Sequence, residues 1–178
     1  MTAGRTVRGY IENRDHRLMH RVHRWRAPRW VRLWMVCSTR LGDGWLYFGL
    51  ALVLLLEGGA IRYAAVGSAT AAAATGIAVF QLLKRTSGRR RPCALEPHCW
   101  ATVSPPDRFS FPSGHTITAF AVTLPVGLFY PSLMAPLLFL ALSVAASRII
   151  LGMHFLSDVV AGCMIGTTLG YSFFCLFT

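Results

Sequence analysis

The sequence predicts an all-α membrane protein: a polytopic bundle of about five transmembrane helices preceded by an interfacial amphipathic helix. Three observations carry that prediction. Hydrophobic residues make up 54% of the 178 and charged residues 14%, against about 25% charged in an ordinary soluble domain. The apolar residues fall in uncharged runs at 63–83, 115–147 and 159–178, and about 20 such residues cross the hydrocarbon core as a helix. The remaining charge is sorted along the chain. Ten of the 17 arginines lie in the first 40 residues, whereas Phe109–Thr178 keeps only Arg148 and Asp158 as formal charges. The length suits one membrane-embedded domain, 41–178, behind a basic segment, 1–40.

Taken in order, residues 1–40 hold the arginines beside Trp25, Trp30 and Trp34, a mixture suited to a helix lying on anionic lipid headgroups. Leu18, Val22 and Trp25 recur at helical spacing and give it one apolar face. His16, His20 and His23 repeat that spacing on a neighbouring face, as a polar interfacial surface or, less simply, as zinc ligands. The segment has no apolar h-region, so it does not read as a signal peptide. The net charge of +11 suits a phosphate backbone in principle, but its setting among tryptophans favours lipid, and no nucleic-acid partner is expected. Residues 41–56 are a short first crossing with Asp43 at one end and Glu57 at the other. The run 63–83 is the second. The run 115–147 is too long for one crossing, and Pro131 and Pro136 divide it into a hairpin. The last crossing, 159–178, carries Gly162, Gly166 and Gly170 at the small-xxx-small spacing of close helix packing. Cys37, Cys163 and Cys175 read as small buried apolar residues. Cys93 and Cys99 share a polar loop, as free thiols or, in an oxidising compartment, as a disulfide.

Three polar regions interrupt the helices: 1–40, 84–114 and 148–158. An even number of crossings separates each from the next, so all three lie on one side of the membrane and their side chains can converge. In the third, "SRIILGMHFLSDVV" places Arg148, His154 and Asp158 among apolar residues. Charges at membrane depth are costly and mark a site or a paired contact. His154 and Asp158, four apart, share one face if the segment is helical, and a carboxylate beside an imidazole makes its other nitrogen a better base or nucleophile. The plain alternative is an Arg–Asp pair joining helices.

In "FSFPSGHTITAF", Ser113 and Gly114 open a helix whose free N–H groups form a natural anion site, and His115 projects from its first turn, placed to donate a proton. An ordinary Ser-Gly cap explains the same residues individually. In "KRTSGRRRP", Lys84 is the one lysine of the chain, a compact charge where every other strong base is arginine. Arg91 offers a fork for two phosphate oxygens. The positive-inside rule accounts for Arg85, Arg89 and Arg90, but not for the convergence of three segments. Cations, a hydroxyl, two histidines and one carboxylate describe phosphoryl transfer through a histidine, with arginine and lysine doing what metal ions do elsewhere. No metal or other cofactor is expected.

The three segments together resemble the type 2 phosphatidic acid phosphatase family, which shares its fold with vanadium haloperoxidases. Lys84, six residues, Arg91 and Pro92 match its first motif. Pro112, Ser113, Gly114 and His115 match the second. Ser147, Arg148, five residues, His154, three residues and Asp158 match the third. The resemblance spans 84–158 without a substitution in the motif positions. It implies that His154 attacks phosphorus, that Asp158 orients it and that His115 protonates the leaving oxygen. Lys84, Arg91, Ser113, Gly114 and Arg148 would hold the phosphate oxygens.

The function expected is an integral membrane lipid phosphatase acting on phosphatidic acid, phosphatidylglycerophosphate, a polyprenyl diphosphate or a lipid A phosphate. Transfer of the phosphoryl group to an acceptor lipid is the alternative; haloperoxidase chemistry belongs to larger soluble relatives. Many bacterial members have an additional first crossing that puts the site outside the cytoplasm. Here a further crossing over 28–50 would carry Arg29, Arg32 and Arg40 into hydrocarbon. The N-terminal segment then shares the active-site side, which positive-inside bias makes cytoplasmic and family habit makes extracytoplasmic. The expectation follows the family: a bacterial cytoplasmic membrane with the site on its outer face.

Overall fold

The computed structural model describes residues 3–25, 27–95 and 107–178, with only the backbone of residues 3–8. Among the described residues eight helices follow in order: α1 (Ala3–Arg24), α2 (Arg29–Leu41), α3 (Trp45–Glu57), α4 (Arg62–Ser87), the single turn α5 (Pro92–Leu95), α6 (Gly114–Phe129), α7 (Pro131–Ile150) and α8 (Leu156–Phe177). Among the described residues the only extended pairing is an isolated antiparallel bridge between Arg90 and Phe109.

The bundle is organised around α6, which packs against α4, α7 and α8. Eleven of its 16 residues are buried, so it is the helix the others surround. Close approach to α8 depends on the three glycines read from the sequence. A Cβ on Gly162 would lie 2.9 Å from the Ser113 carbonyl oxygen, one on Gly166 2.5 Å from the Ile117 oxygen, and one on Gly170 3.0 Å from Pro125 Cδ. These glycines let α8 lie on the backbone of α6, and Gly162 does so beside the α6 N-terminus. Gly76 plays the same part on α4, where a Cβ would meet Ile117 Cγ2 at 2.7 Å.

Three helices, α4, α7 and α8, are long and apolar enough to cross a membrane, and α2 with α3 makes a fourth candidate bent by 60°. Helix α6 is apolar but short, about 24 Å at 1.5 Å per residue. The crossing expected at 41–56 is thus α3, which follows α2 across a 60° bend. Gly42, Asp43 and Gly44 form the break, and Gly44 adopts a φ of 112° that a side chain would resist. The hairpin expected within 115–147 turns at Tyr130, and Pro131 opens α7, where its missing N–H costs nothing. Pro136 does not divide the run as expected: it lies inside α7.

One expectation for the cysteines changes. Cys37 and Cys175 are exposed and Cys163 half-buried, because hydrocarbon outside the bundle is itself an apolar medium. Cys93 is a free thiol, and Cys99 lies outside the described residues. In the basic segment, α1 touches α7 and α8 while α2 packs along α7. Val31 and Met35 of α2 join Leu151 and Met153 in one apolar cluster. Trp30 and Trp34 stay exposed, and His16 packs its ring edge-on against Phe155.

Candidate active site

A cavity of about 560 Å³ opens between α3, α4 and α6. One end is polar, lined by Asp43, Lys84, Arg91, Asp107, Gly114, His115, Arg148 and His154; the other is apolar, lined by Leu50, Leu54, Val66, Ala69, Ala73, Val122 and Val126. Six of the eight residues singled out by sequence therefore border one space. Ser113 and Asp158, both fully buried, stand behind its wall.

The sharp turn after α7 places His154. Gly152 takes a φ of 68°, and the backbone N–H groups of Met153 and His154 both donate to the Arg148 carbonyl at 3.0 Å. His154 thus precedes α8, and the shared helical face expected for His154 and Asp158 does not exist. Asp158 sits in the first turn of α8, where its Oδ2 accepts the Phe155 N–H at 2.8 Å, a stabilising place for a carboxylate. Its Oδ2 is 3.7 Å from His154 Nδ1, beyond a hydrogen bond. The partner of Nδ1 is the Ser110 carbonyl at 2.6 Å. A carbonyl only accepts, so Nδ1 carries the proton. Arg91 Nη1, which only donates, lies 3.1 Å from Nε2, so Nε2 presents its lone pair. Both contacts select one tautomer, with Nε2 towards the cavity. Burial, and then Arg148, Arg91 and Lys84, push the His154 pKa well below its usual value, which keeps the ring neutral.

The cations reach this point from three elements. Lys84, in the last turn of α4, donates to Asp107 at 2.5 Å. Arg91 is almost fully buried. It donates from Nη1 to the Met153 carbonyl at 3.0 Å, from Nε to the Asp107 carbonyl at 2.9 Å and from Nη2 to Asp107 Oδ1 at 3.0 Å. Arg148, in the last turn of α7, donates from Nη1 to Thr39 of α2, while its buried Nε has no partner among the described residues. Burial raises the Asp107 pKa, but the Lys84 hydrogen bond and the Arg91 charge outweigh it and leave the carboxyl below its usual range.

On the opposite side, His115 Nε2 lies 2.8 Å from Asp43 Oδ1. A Cβ on Gly114 would be 3.2 Å from Phe80, so glycine is what lets α4 approach the start of α6 here. Ser113 differs from expectation: its Oγ accepts from Thr116 Oγ1 at 2.9 Å and does not line the cavity. Sequence reading missed Asp43, Asp107 and the Ser110 carbonyl. Asp43 sat in view, at the end of a span and flanked by glycines, but no spacing tied it to His115, 72 residues on. It also missed Asp15 and Arg89. Arg89 donates to Asp15 at 2.6 Å and to Asp158 at 2.6 Å.

A helical membrane bundle with cations and two histidines gathered at the polar end of an apolar cleft defines a class, the membrane phosphatases. The chain belongs to the PAP2 superfamily, whose sequence profile matches residues 63–178. It is 35% identical over 131 residues to the decaprenylphosphoryl-5-phosphoribose phosphatase of Mycobacterium tuberculosis, covering 71% of this chain and 68% of that one. It is also 35% identical over 89 residues to the lipid A 1-phosphatase of Rhizobium johnstonii, covering 48% and 36%. Two crystal structures share the fold. Aquifex aeolicus LpxE has a TM-score of 0.72 at 26% identity, covering 88% of this chain and 92% of that one. The PAP2-type phosphatidylglycerolphosphate phosphatase of Bacillus subtilis has a TM-score of 0.72 at 22% identity, covering 94% and 86%. This protein is accordingly a multi-pass membrane protein and a phosphatase of the PAP2 superfamily, and the relatives named above are lipid-related phosphatases.

Proposed function

We propose that this protein hydrolyses a phosphate monoester or diphosphate carried by a lipid, without a metal ion, through a phosphohistidine on His154. The observation that carries the reading is the orientation of His154. Its Nδ1–H is held by the Ser110 carbonyl, and its Nε2 faces the cations at the polar end of a cleft whose other end is apolar. Nε2 attacks phosphorus as the P–O bond to the lipid breaks. His115 gives its proton to the departing oxygen. Lys84, Arg91, Arg148 and the Gly114 N–H neutralise the transferring phosphoryl oxygens. Water then attacks the phosphohistidine with His115 as base, releasing phosphate and restoring Nε2. Asp43 holds His115 in place for both proton transfers. Ser113 and Asp158 act from behind the wall, Ser113 by shaping the start of α6 and Asp158 by fixing the backbone after His154.

The names of the relatives favour a phosphate monoester on a polyprenyl-linked headgroup as substrate, ahead of phosphatidic acid, phosphatidylglycerophosphate and lipid A phosphate. We place the site on the outer face of a bacterial cytoplasmic membrane, following family habit. The arginines of α1 and α2, with exposed Trp30 and Trp34, then rest on anionic headgroups of that leaflet. Phosphate release by detergent-solubilised protein in EDTA, over a panel of these lipids, tests the reading. Release that survives EDTA and is lost in His154→Ala supports it. Full activity in His154→Ala defeats it. A membrane-impermeant thiol reagent applied to spheroplasts carrying Cys93 as the one cysteine tests the side: labelling places the site outside, and labelling only after lysis places it inside.

A further inference from the structure

We propose that Asp15, in the N-terminal helix α1, is a positioning residue for His154 and acts through Arg89. The inference rests on the reading of His154 as the nucleophile. Asp15 is 5% exposed, an unusual place for a carboxylate on an arginine-rich helix that otherwise meets solvent and lipid. Its Oδ2 accepts from Arg89 Nη2 at 2.6 Å and from the Ser157 hydroxyl. Its Oδ1 accepts the Ser157 N–H at 3.2 Å. The other end of the guanidinium, Nη1, donates to Asp158 Oδ1 at 2.6 Å and to Ser157 Oγ at 2.7 Å. The guanidinium also lies over the Phe155 ring, 4.2 Å from its centroid.

Arg89 therefore reaches both supports of His154. Through Asp158 it holds the carboxylate that fixes the Phe155 N–H, the residue after the histidine. Through its own carbonyl it accepts the Ser110 N–H at 2.8 Å, and the Ser110 carbonyl is the partner of His154 Nδ1. One residue thus joins the two backbone segments between which the imidazole is held, by its guanidinium on the Asp158 side and by its backbone carbonyl on the Ser110 side. Asp15 touches neither cavity nor histidine. It closes the fork of Arg89 from the opposite side. Without it the guanidinium would keep one carboxylate and lose the contact that sets its direction, and the two supports of His154 would be free to shift independently. A shift of about 1 Å at a reacting group costs up to about 100-fold in rate. A role limited to anchoring α1 would change the amount of folded protein but not the turnover of each folded site.

The test is Asp15→Asn in the full chain, with a polyprenyl-linked phosphate monoester in mixed micelles as probe and rates normalised to folded, monodisperse protein. The expected result is a fall in kcat of about 10-fold with KM unchanged, as for residues that orient a reacting ligand through a second contact, together with slower phosphoenzyme formation in a single turnover. In the double variant Asp15→Asn/Arg89→Gln, kcat should be no lower than in Arg89→Gln alone, because both changes break one path. Wild-type kcat in Asp15→Asn, or additive losses in the double variant, overturns the proposal. Should Asp15→Asn not fold, Ser157→Ala removes one Asp15 contact more gently. It is expected to lower kcat about 3-fold at constant KM, and an unchanged kcat then overturns the proposal. His154→Ala keeps the two failures apart. If that variant stays active, the reading of the nucleophile fails; if it is dead while Asp15→Asn turns over normally, only the role of Asp15 fails.

Discussion

The two sides of His154 use the same residue types for opposite ends. Behind it, Arg89 is enclosed by Asp15 and Asp158, with both ion pairs at 2.6 Å. In front, Lys84 and Arg91 share Asp107, whose side chain is 35% exposed, and Arg148, held by Thr39, keeps an Nε with no partner among the described residues. The rear cluster has more carboxylate than cation and does not line the cavity, so its one cation is already matched. The front cluster has more cation than carboxylate and borders the cavity, and the carboxylate it does hold is the one a phosphate can displace. Charge balance and access, more than residue type, separate a scaffold from an anion site.

That contrast can be broken in several places. The largest effect is expected for His154→Ala, a loss of at least about 10⁴-fold in kcat, of the size seen when a covalent catalyst is removed. Arg91→Lys comes next. It keeps the charge but loses the fork, and kcat is expected to fall about 10²-fold; a loss under about threefold would mean that Arg91 serves structure alone. Asp107→Asn should act in the opposite direction on binding. With its internal counter-ion gone, the front cluster should hold inorganic phosphate about 3- to 10-fold more tightly, read as a lower inhibition constant. Weaker inhibition would put Asp107 in the rear class.

The pH dependence sharpens the same comparison. The pKa of His154 is lowered, so the ring stays an unprotonated base below the usual histidine value of about 6.5. The acid limb of kcat from this group should therefore fall below pH 6.5. The same lowered pKa stabilises the fold fully above the unfolded value, and that share is lost as pH drops towards the folded one. Midpoints of thermal unfolding in detergent should decrease with acidification over that window. The smallest and most local effect is in packing. Gly166→Ala forces a Cβ to within 2.5 Å of the Ile117 oxygen and should cost about 1–3 kcal/mol. Gly49→Ala, with nothing within 4 Å, should cost nothing measurable.

Much of the fold was legible because hydrocarbon imposes a simple code. The uncharged runs 63–83 and 159–178 became α4 and α8 with a few residues added at their ends, and Pro131 marked the hairpin. The bend between α2 and α3 was not legible, since the run 41–56 shows its apolar content but not that the chain turns by 60° at residues 42–44. At the site, motif spacing named residues that do line one cavity. It misread the connection between His154 and Asp158, because a spacing of four implies contact only on a helix and Gly152 ends α7 before His154. The partners Asp15, Asp43, Arg89 and Asp107 lay beyond reach for another reason. Each acts across 16 to 74 residues of chain, and such contacts leave no periodic trace.

The most direct measurement is rapid acid-free quenching of the protein with a lipid substrate labelled in its phosphate, followed by mapping of the label. An alkali-stable, acid-labile phosphohistidine is expected at Nε2 of His154, absent in His154→Ala and accumulating in His115→Ala if the second step slows more than the first. Label on His115, or turnover of the wild type through a burst with no labelled histidine at all, would contradict it.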